Sequence, residues 1–153
     1  MDSVLRRVDC PLCGERARTA RGPHDIVVGK RKVTVHDEYL RCDACDEGFY
    51  RPGQFDQLQR RVAAQIRIDE RLLAPAAIKA IRLRLGLSQR EFERLLGVGE
   101  KTVIRWEKGT VFQSATADAL MRLLETVPGA ADALAMRRGV ALSGGRRLRR
   151  QAR

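Results

Sequence analysis

Four of the 153 residues are cysteines, arranged as two short pairs, Cys10-Pro-Leu-Cys13 and Cys42-Asp-Ala-Cys45, with 28 residues between them. Each C-x-x-C can present two thiolates from one tight turn, and two such pairs fill the four positions of a tetrahedral ion, for which zinc is the expected metal. A redox C-x-x-C, a catalytic zinc and an iron cluster draw on the same residues. One structural zinc is favoured, because four thiolates leave no coordination position for water. His24 and His36 are the only histidines. Either could replace a cysteine, but four cysteines suffice, so both read as solvated loop or strand residues. Gly14 after the first pair and Gly48 beyond the second suit the tight turns of such knuckles.

A second constellation lies in residues 87–109, LSQREFERLLGVGEKTVIRWEKG. Ser88 and Glu91 have the spacing of a capping box, which predicts a helix starting at Gln89. Phe92, Leu95 and Leu96 give it one apolar stripe, and Gly97 can end it. Val98 can plug the turn and Gly99 can serve as N-cap of a second short helix over residues 100–108, with Val103 and Trp106 inward and Gly109 closing it. Glu100, Lys101, Thr102 and Arg105 then point away from the apolar side. They are free to enter a DNA major groove, and Arg105 is the best candidate base reader.

The surrounding elements must hold these two constellations. Residues 26–28 and 33–39 are β-rich around a Gly29-Lys30 turn, which makes the N-terminal part a zinc ribbon. About 50 residues bury little core, so a structural metal would supply much of the folding free energy. From Pro52, the residues Phe55, Leu58, Val62 and Ile66 form one helical stripe that caps the ribbon, with Arg60, Arg61 and Gln65 opposite. Periodicity lapses over residues 69–74, and Pro75 can open a new helix. Ile78, Ile81 and Leu85 suit the first helix of a second domain. Ala117, Leu120, Leu123 and Leu124 suit a later one ended by Pro128-Gly129, and residues 130–136 a last short one. The expected fold class is therefore α+β in two small domains. A zinc ribbon with short strands and a capping helix spans residues 1–68, a linker 69–74, and an all-α, five-helix domain 75–136. An Arg-rich tail, expected to be disordered, covers 137–153.

The net charge of +11 is unevenly spread, at +2 over residues 1–74, +2 over 75–136 and +7 over 137–153. The helical domain is thus mildly basic, and the tail reads as an arm that follows phosphate, although such tails also suit RNA or acidic proteins. No apolar run has membrane length, and the start MDSVLRRVDC lacks the apolar segment of a signal peptide. A cytoplasmic protein is expected, nucleoid-associated when on DNA, with reduced thiols available to metal.

Residues 87–109 resemble the Xre/Cro helix-turn-helix family, whose pattern runs Ser/Thr-Gln, apolar helix, Gly-Val-Ser, Thr-Ile/Val, Trp-Glu-x-Gly. The resemblance implies a phosphate contact from Gln89, and base-edge or phosphate contacts from Lys101, Thr102 and Arg105. The DNA-facing set is then Ser88, Gln89, Gly99, Glu100, Lys101, Thr102, Arg105 and Lys108. Gly99 departs from the usual Ser or Thr. Glu93 departs from the usual small residue, so either its side chain bends out to solvent or the two helices stand slightly apart.

A zinc ribbon followed by such a domain is similar to the MqsA family of type II antitoxins. The junction carries the resemblance: Leu73-Ala74-Pro75, the apolar helix of residues 78–85, Leu87-Ser88-Gln89, and Arg105-Trp106-Glu107-Lys108-Gly109, with both cysteine pairs in place. The similarity spans about residues 8–128. It implies a metal role for Cys10, Cys13, Cys42 and Cys45 and an N-terminal half that neutralises a cognate toxin, typically an mRNA-cleaving ribonuclease. The other half would dimerise, bind a palindromic operator and repress its own operon. Lys101 replaces an Asn-type base reader. A solitary zinc-stabilised transcriptional regulator and an RNA-associated zinc protein are the alternative classes. An enzyme is not expected, since no Ser-His-Asp set, H-E-x-x-H or phosphate loop is present.

Overall fold

The computed structural model describes residues 8–143, which form two compact units, one up to Gln65 and one from Ile66. The first is a four-stranded antiparallel sheet in the order β1-β2-β3-β4, with β1 at Val8–Asp9, β2 at Arg16–Val28, β3 at Arg31–Cys42 and β4 at Gly48–Phe49. The helix α1, Pro52–Asp69, follows. Most of the sheet is one long hairpin, paired from Ala17 with Cys42 to Val28 with Arg31, and Gly29 takes the positive φ of 61° at its tip.

These strands are longer than the alternating residues 26–28 and 33–39 implied. Residues 16–25 are polar and include Gly22 and Pro23, so they carry little strand signal of their own. Pairing with β3 holds them extended. Among the described residues β1 covers β2 only at Arg16 and Ala17, so beyond that point β2 is an edge strand, where a proline is tolerated. Val33, Val35 and Leu40 are buried on the sheet, and Leu58, Val62 and Ala63 on α1. Phe55, in the first turn of α1, is 52 % exposed although it shares the face of the expected stripe. The N-terminus of α1 has Pro52 at its first position, and the Gln54 side chain accepts the Arg51 N–H (3.0 Å).

The second unit holds five helices: α2 at Pro75–Arg84, α3 at Gln89–Leu96, α4 at Thr102–Glu107, α5 at Ala115–Thr126 and α6 at Ala130–Arg138. Ile78, Ile81, Phe92, Leu95, Val103 and Met121 are fully buried at its centre. On α5 Ala117 and Leu124 are buried and Leu120 packs against the core as expected, while Leu123 is 51 % exposed and Met121 is fully buried in its stead.

Residues 69–74, read from the sequence as a linker, make defined bonds. The α1 helix ends in a Schellman turn, with Arg71 left-handed at φ 54° and the Leu72 N–H on the Arg67 carbonyl (2.9 Å). The chain is then fastened to α5. The buried Leu73 donates its N–H to Asp118 Oδ1 (2.7 Å), Gln113 Nε2 donates to the Leu73 carbonyl (2.8 Å), and Arg122 donates to the Arg71 carbonyl (2.9 Å). Burial opposes the charge of Asp118, but Arg122, the Leu73 N–H and Gln113 outweigh it and hold the carboxyl below its usual range.

The expected tail begins too early. Arg137 and Arg138 complete α6, Gly139 caps it at φ 62°, and Val140 is buried in the core of the second unit. Residues 144–153, which carry the remaining arginines of the tail, lie outside the described residues. Among the described residues no helix is long and apolar enough to cross a membrane.

Candidate metal centre and nucleic-acid interface

The hairpin brings the two cysteine pairs together because Ala17 at the base of β2 faces Cys42 at the end of β3. The four Sγ atoms lie within 4.8 Å of one another, with Cys10 to Cys45 at 3.6 Å, Cys13 to Cys42 at 3.4 Å and Cys13 to Cys45 at 3.6 Å. A tetrahedron of thiolates about 2.3 Å from a zinc ion has edges of about 3.8 Å, so this cluster fits such an ion with little adjustment. Backbone N–H groups support the sulfurs, Leu12 on Cys10 and Ala44 on Cys42, both at 3.4 Å. The N–H groups of Cys45 and Ala44 also help to lower the Cys42 thiol to about 7. An ion bound by all four thiolates has no open position for a substrate.

The two knuckles are alike but not in the way expected. The first turns through Gly14 at φ 76°, and the matching position in the second is Asp46 at φ 62°. Asp46 is held there by its carboxylate, which accepts from the Arg41 guanidinium. Gly48 is a strand residue packed beneath Tyr39, where an added Cβ would sit 3.4 Å from the ring. Its role is close packing.

His36 is exposed on β3, as read from the sequence, but His24 is not a solvated residue. Its ring packs 4.7 Å from that of Tyr39, its Nε2 meets the Tyr50 hydroxyl, and its Nδ1 lies 3.4 Å from Asp37 Oδ1. Tyr50 and Tyr39, distant in sequence, are what draw it inward. Neither histidine belongs to the cysteine cluster.

In the second unit the capping box of α3 is present, with the Glu91 N–H on Ser88 Oγ (3.3 Å) and the Ser88 N–H on Glu91 Oε2 (2.8 Å). These bonds hold the Glu91 carboxyl below its usual range. Gly97 ends the helix at φ 71°. The next helix begins later than residue 100. Lys101, not Gly99, is the residue before α4, in a left-handed conformation (φ 62°). That geometry strains a lysine. Its carbonyl is engaged twice, by the Arg105 N–H (3.4 Å) and by Arg105 Nε (3.1 Å). Val103 and Trp106 are buried, Thr102 is half-buried, and Ser88, Gly99, Glu100, Lys101, Arg105 and Lys108 are exposed.

Gln89 is half-buried, and its Nε2 donates to Glu107 Oε2 (2.8 Å). Glu107 belongs to a buried pair with Arg82, whose Nε and Nη2 donate to its two carboxylate oxygens at 2.6 and 3.1 Å, and whose Nη1 donates to the Leu87 carbonyl (2.8 Å). Burial raises the Glu107 carboxyl, but Arg82 and Gln89 overcome it and the net shift is downward. Reading α2 as Ile78, Ile81 and Leu85 passes over Arg82, which sits on the same stripe. A basic residue there and an acidic one beside Trp106 were the available signal.

Glu93 resolves the departure noted in the sequence. Only 5 % exposed, it does not bend out to solvent, because its Oε1 accepts the N–H of Val103 in the first turn of α4 (3.0 Å). A carboxylate there meets a backbone donor that the helix itself cannot satisfy.

The family described as the antitoxin component of the bacterial toxin-antitoxin system, MqsA, matches residues 8–134. The Antitoxin MqsA of Escherichia coli (strain K12) is 27 % identical over 123 residues, covering 78 % of this chain and 93 % of that protein. The match runs through the cysteine cluster, the hairpin, α1 and the helices to α6, and on its breadth the chain belongs to the MqsA antitoxin family.

Proposed function

We propose that this chain neutralises a cognate toxin, of the ribonuclease kind implied by its family resemblance, and represses its own operon by binding operator DNA. The observation that carries the DNA reading is the α3–α4 pair. A capped helix and a tight turn precede a short helix whose Val103 and Trp106 are buried, with Lys101 before it and Thr102 and Arg105 on it lying on the side away from that core. In a homodimer two such helices would enter successive major grooves about 34 Å apart, and occlusion of the promoter would follow. The N-terminal unit, with its zinc held by Cys10, Cys13, Cys42 and Cys45, is the half we assign to the toxin.

Co-expression with the neighbouring open reading frame tests the whole reading. That product should arrest growth alone, lose its effect beside this chain and co-purify with it. Arrest that this chain leaves unchanged would favour the solitary regulator.

Arg105→Ala tests the DNA half. It should cost about 1 to 3 kcal/mol in operator affinity and relax one base position if the guanidinium reads guanine. Equal loss on every sequence would place Arg105 on phosphate. Shortening the chain by residues 144–153 removes five of its arginines. The salt dependence of binding should flatten, and an unchanged slope would exclude that segment from the interface.

A further inference from the structure

We infer that Glu93 is a positioning residue for DNA reading, holding α4 in the orientation that presents Lys101 and Arg105. This rests on the DNA reading above. Between Gly97 and α4 the chain makes a connection whose last residue, Lys101, stays left-handed, a conformation that a lysine does not favour and that its surroundings must impose. Among the described residues the Lys101 carbonyl is bound only from the α4 side, by Arg105. The Thr102 N–H on the Gly99 carbonyl (3.3 Å) joins the start of α4 to the connection but not to α3, so its placement against α3 rests on a further tie. The buried Glu93 carboxylate is that tie, through the Val103 N–H. Alongside it, Glu93 lines an open groove of about 180 Å³ with Gln89, Arg90, Glu100, Lys101 and Ile104, so the bond lies next to side chains of the proposed interface.

The geometry separates positioning from simple packing. Phe92, Leu95 and Val103 bury the contact between the two helices, so the unit keeps its core without the carboxylate. Without it, the N-terminus of α4 loses its only side-chain acceptor among the described residues, and water entering the groove can satisfy Val103 without fixing an orientation. Base contacts need tighter placement than folding does.

The test compares Glu93→Ala with Glu93→Gln, which keeps an oxygen acceptor. Two quantities are read, amide exchange at Val103 and the preference of the full chain for a duplex of its own upstream DNA over a scrambled one. In Glu93→Ala, exchange at Val103 should quicken and the preference should fall by about tenfold, the worth of one base contact, with melting temperature largely kept. Glu93→Gln should restore most of both. If the Ala variant is too unstable to purify, Glu93→Asp, one methylene shorter, should show the same loss of preference. A wild type that discriminates and an Ala or Asp variant that discriminates equally would overturn the inference alone. A wild type without preference would remove the DNA reading and the inference with it.

Discussion

Removing metal from this protein should unfold the hairpin unit and leave the five-helix unit standing. The two differ in what holds them. The first buries Val33, Val35, Leu40, Leu58, Val62 and Ala63, a small set for a sheet whose hairpin strands run to 13 and 12 residues. The second buries Phe92, Trp106, Met121 and many aliphatic residues. Structural zinc in small domains contributes about 10 to 16 kcal/mol of apparent binding free energy near neutral pH, which exceeds what so small a core supplies. A strong chelator should therefore abolish amide protection across β2 and β3 while protection in α2, α3 and α5 persists. Cys42→Ser should act likewise, because it removes one of four thiolates and the sulfur that receives the Ala44 N–H. Native mass spectrometry should give one zinc per chain. A hairpin that survives chelation, or a protein purified without metal and fully folded, would refute this account.

Replacing Arg82 by alanine should be the most damaging single change in the helical unit. It leaves the buried Glu107 carboxylate, whose side chain is 6 % exposed, without its countercharge and with Gln89 as its remaining donor, and leaves the Leu87 carbonyl without the Arg82 donor. Breaking a buried pair in this way costs about 3 to 5 kcal/mol, on the order of 15 °C in melting temperature for a unit of this size. The double change Arg82→Met with Glu107→Leu should recover much of the loss, since no unpaired charge is left behind. The pH dependence has a definite sign. Because the folded-state Glu107 carboxyl is held below its usual range, its stabilisation is present above the unfolded value, about 4.3, and is lost as pH falls through the folded one. In Arg82→Ala the carboxyl loses its charged partner and takes up a proton more readily. The gap in stability between the two proteins should narrow as pH drops below about 5. A variant that melts with the wild type at pH 7 would show that the pair contributes no net stability.

How far each feature could be read from the sequence depended on the range of the interactions that make it. The α3 cap was legible because Ser88 and Glu91 act within one turn. The cysteine cluster was legible because ligand spacing is itself a local signal, even though the pairs meet only through the hairpin. The long polar part of β2 was not, since its partner strand extends it. Leu123 stands at the margin of its stripe, and Phe55 keeps the angle of its stripe but lies in the first turn of α1, and periodicity alone does not say how far around or along a helix the cover extends. Glu93 and Arg82 were hidden for the opposite reason. Hydrophobic patterning sends charged residues outward, and both are buried by bonds to groups 10 and 25 positions away. The tie from residues 71–73 to α5 and to Gln113 just before it spans 40 to 51 positions and had no local signature.

That tie also sets an order of assembly. Every sulfur of the cysteine cluster and all four strands belong to the first 49 residues, whereas Leu73 and Arg71 cannot be fastened until Asp118 and Arg122 exist. At ordinary rates of translation the interval between those points lasts on the order of 4 to 15 s. On a ribosome the N-terminal half can capture its metal and close while the start of the other half still waits for its clasp, so each nascent chain passes through a stage with a finished ribbon and an open helical unit.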